Sequence, residues 1–284
     1  VTWLLFFTYS HVEYQNELWW QFALSGNAPR ALRALLVVAI ALVMFGLARL
    51  LHSTRSPLPA ADEATLQALA PVLAGATDTQ ACLVLTADKA VLRDDAKQGF
   101  VMMQRYGGSL IAMGDPVGPP EVARALIWRF REEADRLGLR PVFYQVGETY
   151  WQTYLDLGLG LVKLGEEAMV PLHDFGLEGR ERADLRQAWN RGKRSGLSFR
   201  VAPAEEIPSL LPRLHAISNA WLEDKAGDEK GFSLGSYDPD YLVRFPVALV
   251  EAEGQIVAFA NLWQAPAGAE LSVDLMRHVN EAPK

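Results

Sequence analysis

Asp274 and Arg277 carry the sharpest chemical signal in the chain, within the run Leu271-Ser272-Val273-Asp274-Leu275-Met276-Arg277. A carboxylate among strand-core apolar residues is costly to bury unless it is paired, so a nearby cation is implied. Arg277 is the obvious candidate, and a purely structural salt bridge is the plain alternative to a catalytic pair. Residues three apart on a strand point to opposite faces. The two side chains therefore meet only if the strand ends or bulges between them, or if the arginine wraps round.

A second signal is basic. Arg180, Arg182, Arg186, Arg191, Lys193, Arg194 and Arg200 fall close together, opposed only by Glu181 and Asp184. On a helix Arg182, Arg186 and Lys193 share roughly one face, beside Trp189 and Asn190. Such a face grips phosphates of RNA or of a lipid head group, with Arg186, Arg191, Lys193 and Arg194 as the candidates. A solvated helix surface is the equally plain reading. A third segment, Trp221 to Gly235, mixes charge, glycine and aromatics around Glu229 and Lys230. It suits a loop closing over a substrate, or a simple exposed connection.

Other chemistries are missing from the sequence. It has no Cys/His cluster at zinc spacing, no Walker A loop, no dinucleotide fingerprint and no Gly-x-Ser-x-Gly elbow. No metal and no cofactor is expected. The single cysteine, Cys82, lies in an apolar run and reads as a buried, inert thiol, which fits a reducing compartment. Net charge is −7 with a pI near 5.3, so no global field attracts nucleic acid and any RNA contact must be local.

The elements that must position these residues follow from periodicity. Ser56 to Ala61, with Pro57 and Pro59, reads as a linker. A helix is expected near Ala64–Leu69, and strands near Cys82–Leu85, Phe100–Arg105 and Ser109–Met113, the last closed by a Gly114-Asp115-Pro116 turn. Ala123, Leu126, Ile127, Phe130, Ala134 and Leu137 form a helical stripe over Glu121–Leu137. Pro141–Val146 reads as a strand, Thr149–Leu157 as a short helix and Leu161–Leu172 as two strand-like pieces. Then come a helix at Arg180–Ser195, a strand at Leu197–Val201 and a helix at Glu205–Trp221. Strands are expected at Pro246–Glu251, Gln255–Trp263 and Glu270–Arg277. The expectation is a mixed α/β protein of two related halves, residues 64–174 and 175–284, after a linker at 56–63.

The N-terminal part reads differently. Mean hydropathy is +0.04 and half the residues are apolar, values that a membrane piece joined to a soluble piece explains. Ala34 to Ala48 carries no charge, with Arg33 and Arg49 at its ends. With snorkelling arginines it approaches a span over 31–51. Residues 1–9 look like the tail of an earlier span, and Trp19-Trp20 suits a head-group boundary. There is no initiator Met and no cleavable signal peptide, so both ends read as truncations, with residues 1–55 the close of a multi-span region.

Three separated stretches then carry a resemblance: His11-Val12-Glu13-Tyr14 through Ala28-Pro29-Arg30, Glu229-Lys230-Gly231-Phe232-Ser233-Leu234-Gly235, and Glu270 to Arg277. In this order the chain resembles the aminoacyl-phosphatidylglycerol synthases, or phosphatidylglycerol lysyltransferases. The resemblance implies tandem acetyltransferase-like (GNAT) folds after transmembrane helices, with the second half truncated and so inactive alone. It implies a bacterial inner-membrane enzyme with a cytoplasmic catalytic region and an N-terminal flippase region, mostly missing here. Lysyl or alanyl groups would pass from aminoacyl-tRNA to phosphatidylglycerol, giving resistance to cationic antimicrobial peptides. Asp274 and Arg277 would belong to the active site. The rival readings are an acetyl-CoA-dependent acetyltransferase and a non-enzymatic membrane-anchored binding module.

Overall fold

The structure is a computed structural model that describes residues 30–51, 58–225, 229, 231–265 and 268–279, with side chains in the first segment described for 36–48. The chain divides into two compact units, Val1–Ser56 and Pro57–Lys284. In the first, α1 (Arg30–Leu51) forms where the apolar run was read, and Val37, Leu42, Phe45 and Leu47 are exposed on it. Among the described residues, however, no helix is long and apolar enough to cross a membrane. The expected span over 31–51 is therefore not shown among the described residues. The expected span at 1–9 lies outside the described residues.

The second unit is mixed α/β with two four-stranded sheets. Its first part runs α2 (Glu63–Leu73), a 3-10 segment (Thr79–Thr86), β1 (Ala90–Arg93), β2 (Phe100–Tyr106) and β3 (Ser109–Val117). It continues with α3 (Pro120–Arg136), β4 (Arg140–Tyr144) and α4 (Trp151–Asp156). The sheet order is β1-β2-β3-β4, antiparallel except for the β3–β4 pair, whose parallel register needs the α3 crossover. The second part runs α5 (Ala183–Arg194), β5 (Leu197–Ala202), α6 (Ile207–Lys225), α7 (Pro239–Leu242), β6 (Val247–Ala252), β7 (Gln255–Gln264) and β8 (Leu271–His278). Its sheet is antiparallel throughout, in the order β5-β6-β7-β8.

Both parts contribute to one core. Leu66, Leu69, Leu83, Met102 and Met113 pack in the same cluster as Ile207, Leu214, Leu249, Phe259, Trp263 and Leu275. The stripe predicted on α3 buries Leu126, Phe130 and Ala134 against Val101, Met103, Leu110 and Ala112 of the first sheet.

Three local expectations are overturned. Cys82–Leu85 is not a strand but the middle of the 3-10 segment. A short apolar run does not distinguish strand from buried helical turn, and Asp78 caps this one by accepting from the Gln80 amide at 2.7 Å. Gly114-Asp115-Pro116 does not end a strand but lies inside β3. Proline is tolerated there because residues 114–116 lie beyond the β4 pairing, which ends at Met113, and inside the register shift between the Phe100–Val117 and Met102–Met113 pairs of β2 and β3. Pro116 thus has no registered partner on either neighbour. Leu161–Leu172 forms no strands; the segment is irregular, with Val162, Met169 and Leu172 exposed.

Candidate functional site around Asp274

The last strand carries the site, and a bulge orients it. Leu262 pairs with Val273 and Ala260 with Met276, so between these pairs the single β7 residue Asn261 faces two of β8, Asp274 and Leu275. The extra residue reverses the alternation. Asp274, Leu275 and Arg277 consequently all turn toward the buried side, while Val273 and Met276 are exposed. The amide freed at the bulge is not orphaned: the Leu275 N–H donates to Oδ1 of the fully buried Asn261 at 2.8 Å.

Asp274 and Arg277 do not pair with each other. Asp274 Oδ1 accepts from the Gly235 amide at 2.9 Å, and Oδ2 accepts from the Tyr241 hydroxyl at 2.7 Å. That hydroxyl accepts in turn from Trp263 Nε1 at 2.7 Å. Burial, and then the charge of Asp274, push the Tyr241 phenol well above its ordinary range, so it stays protonated and donates. The hydrogen bonds expected from an arginine thus come from neutral donors. Gly235 is required here sterically: a Cβ would lie 2.0 Å from Asp274 Oδ2 and 2.8 Å from Tyr241 Cε1.

Arg277 is held separately, at 5% exposure. Its Nη2 donates to Glu229 Oε2 at 2.7 Å, and its guanidinium carbon sits 4.3 Å from the centroid of the Trp221 ring. Nη1 is buried without a hydrogen-bond partner. An unpaired guanidinium donor held between a carboxylate and an aromatic face is suited to an anionic oxygen. Glu229, expected as a loop residue, is therefore brought to Arg277 and also accepts from the Tyr237 amide at 3.2 Å. Lys230 lies outside the described residues.

The basic helix stands apart from this cluster. All of α5 is exposed or half-exposed. Arg186 is already used, its Nη1 donating to the carbonyls of Leu177 and Gly179. Lys193 sits 5.1 Å from the Trp189 ring, and Arg191 and Arg194 are exposed. Of the four candidates only Arg191, Lys193 and Arg194 present heads open to a phosphate.

Sequence reasoning missed a group on the 3-10 segment and its flanks. Asp78 and Asp115 are both pushed above the ordinary carboxylate range, first by burial and then by neighbouring acids. Asp115 accepts from Tyr154 at 2.5 Å and from the Gly147 amide at 2.8 Å. Thr79 hydrogen-bonds Glu270. Cys82, expected as a buried thiol, is half-buried, and desolvation pushes it up to about 11, with Asp78, Glu270 and Asp274 adding to it. The only signal of this group in the sequence was a set of acids near turn residues, a common surface pattern. Among the described residues no group of side chains is arranged to hold a metal ion.

Comparison with known proteins gives the cluster its context. Residues 71–284 match the family model described as phosphatidylglycerol lysyltransferase, C-terminal. The chain belongs to this family. The phosphatidylglycerol lysyltransferase of Bacillus subtilis is 38% identical over 197 residues, covering 69% of this chain and 23% of the relative. The chain thus spans about a quarter of the length of the curated phosphatidylglycerol lysyltransferases it matches. Among solved structures, the C-terminal (DUF2156) domain of a protein named as a lysylphosphatidylglycerol synthetase from Agrobacterium fabrum superposes with a TM-score of 0.75 at 37% identity. That match covers 77% of this chain and 69% of the other. L-PGS from Bacillus licheniformis gives 0.71 at 34% identity, covering 77% and 67%. This phosphatidylglycerol lysyltransferase-family fold is therefore a mixed α/β fold with two sheets, and the Asp274 cluster sits on the last described strand of the second.

Proposed function

We propose that the protein to which this chain belongs transfers an aminoacyl group, lysyl or alanyl, from aminoacyl-tRNA to phosphatidylglycerol. The two sheets are read as two acetyltransferase-like halves, residues 64–174 and 175–284, acting at the cytoplasmic face of a bacterial inner membrane. The observation that carries the reading is the division of labour on β8: Asp274 held by neutral donors, and Arg277 with one buried donor left over. The names of the relatives support lipid aminoacylation in general, and the tRNA donor is the finer part of the proposal.

The donor ester is already activated, so the site has only to position, move a proton and stabilise charge. The glycerol hydroxyl of the lipid attacks the ester carbonyl carbon. A lipid C–O bond forms, the bond from the acyl carbon to the ribose oxygen breaks, and the hydroxyl proton ends on that ribose oxygen. Asp274 is the proton carrier, since each of its oxygens keeps a lone pair beyond the bonds from Gly235 and Tyr241. Arg277 Nη1 takes an anionic oxygen, either of the lipid phosphate or of the developing oxyanion. Less anionic lipid binds cationic peptides more weakly, which links the reaction to peptide resistance.

The test is thin-layer analysis of lipids from cells expressing the complete gene, followed by reconstitution with lysyl- or alanyl-tRNA. A new, less anionic phospholipid that disappears with Asp274→Asn is expected. Normal lipid output from the Asn variant would remove Asp274 from the chemistry. No new lipid from the wild type would remove the function.

A further inference from the structure

Lys89 is the most deeply buried charged side chain described, at 1% exposure. Its ammonium donates to Leu83 O at 3.2 Å, Thr86 Oγ1 at 2.9 Å and Asp88 Oδ1 at 2.5 Å, so all three protons are used. Asp88 is reached through Ala87, which adopts a left-handed conformation (φ 54°) at the end of the 3-10 segment. The other oxygen of Asp88 crosses to the second half of the fold and accepts from the Phe232 amide at 3.1 Å. Phe232 itself is held at φ 69°, a strained value for a residue with a side chain. Three residues later the Gly235 amide donates to Asp274. The segment from Phe232 to Gly235 is thus pinned at both ends by carboxylates, one from each sheet's half.

Burying an ammonium costs several kcal/mol even when it is paired, and an apolar side chain of similar size is often as stable or more so. Core packing therefore does not account for a lysine here. What it supplies is charge and direction for Asp88. Burial pushes the ammonium below its ordinary range, while Asp88 and, more weakly, Asp274 push back. Asp88 is raised by burial but held below the carboxylate range overall by Lys89, Thr86 and the Phe232 amide.

We propose that Asp88 and Lys89 are a positioning pair for the site: the buried ammonium fixes Asp88, and Asp88 holds the Phe232–Gly235 segment so that its amide meets Asp274. The catalytic half of the test rests on the proposed lipid aminoacylation; the structural half does not. Asp88→Asn, Lys89→Met and the double variant are made in the full-length protein. Hydrogen exchange at the Phe232 and Gly235 amides is expected to accelerate at least about tenfold, with Met102 in β2 unchanged. In the same variants kcat for lipid aminoacylation is expected to fall about tenfold or more, with KM for aminoacyl-tRNA altered less than about twofold.

Should Lys89→Met fail to fold, the near-isosteric Asp88→Asn carries the test. Unchanged exchange at both amides would overturn the proposal. So would faster exchange with kcat intact, since the pair would then serve the fold and not the site. A wild type inactive on lipid would overturn the function while leaving the exchange result to decide the pinning.

Discussion

Asp274 and Arg277 share the buried side of β8 and make neither a hydrogen bond nor an ion pair with each other. The bulge that brings them to one side also gives each its own partners: Tyr241 and Gly235 for the acid, Glu229 and Trp221 for the guanidinium. Two independently held groups can address two parts of a reacting centre, which a mutually neutralised pair cannot.

Tyr241→Phe removes the hydroxyl between Asp274 and Trp263. It leaves a carboxylate oxygen and an indole N–H short of a partner, at a cost of about 1–3 kcal/mol. Urea denaturation should show this loss, and lipid aminoacylation should fall about tenfold or more. Unchanged turnover would mean that Asp274 does not need the phenol.

Gly235→Ala places a methyl group where Asp274 Oδ2 and the Tyr241 ring stand. The carboxylate must move, and overpacking of this kind costs about 1–3 kcal/mol. Activity should drop more than stability accounts for, as judged by turnover at a temperature well below the unfolding midpoint. Wild-type turnover in a folded Ala variant would show that the Asp274 position is not critical.

Arg277→Lys preserves charge but loses the planar stack on Trp221 and the spare Nη1 donor. We expect at least about a tenfold loss of kcat/KM, compared directly with Glu229→Gln, which keeps the guanidinium and loosens its anchor. A lysine variant as active as the wild type would assign Arg277 to structure alone.

Charge reversal at Arg191, Lys193 and Arg194 should weaken use of tRNA and flatten its salt dependence by about one unit of slope for each phosphate no longer gripped. Filter-binding titrations across a salt series measure it. Arg186 is left out because its guanidinium holds the Leu177 and Gly179 carbonyls. A salt slope identical to the wild type would return α5 to a solvated surface.

Cys82 is pushed up to about 11, chiefly by burial. Lying above the ordinary thiol value, it keeps the thiol protonated through neutral pH and forms thiolate only as pH approaches the raised value. Alkylation by iodoacetamide at pH 8 should therefore run roughly a hundredfold slower than for a free thiol. A rate profile with its inflection near pH 9 would contradict the burial of this thiol.

The sequence by itself determined where most elements lie. The stripe on α3, the strands β2 and β5 to β8, and helices α5 and α6 were legible because local periodicity reports which side of an element is buried. It also singled out Asp274 and Arg277, since a charge inside an apolar strand is visible without a fold. Tertiary structure alone decided their partners. Gly235, Tyr241 and Glu229 lie 39, 33 and 48 positions away along the chain from the residues they hold, and Phe232 lies 144 from Asp88. The bulge depends on the register between β7 and β8, and the buried state of Lys89 depends on packing around the 3-10 segment. Periodicity within one segment contains no term for contacts at that range.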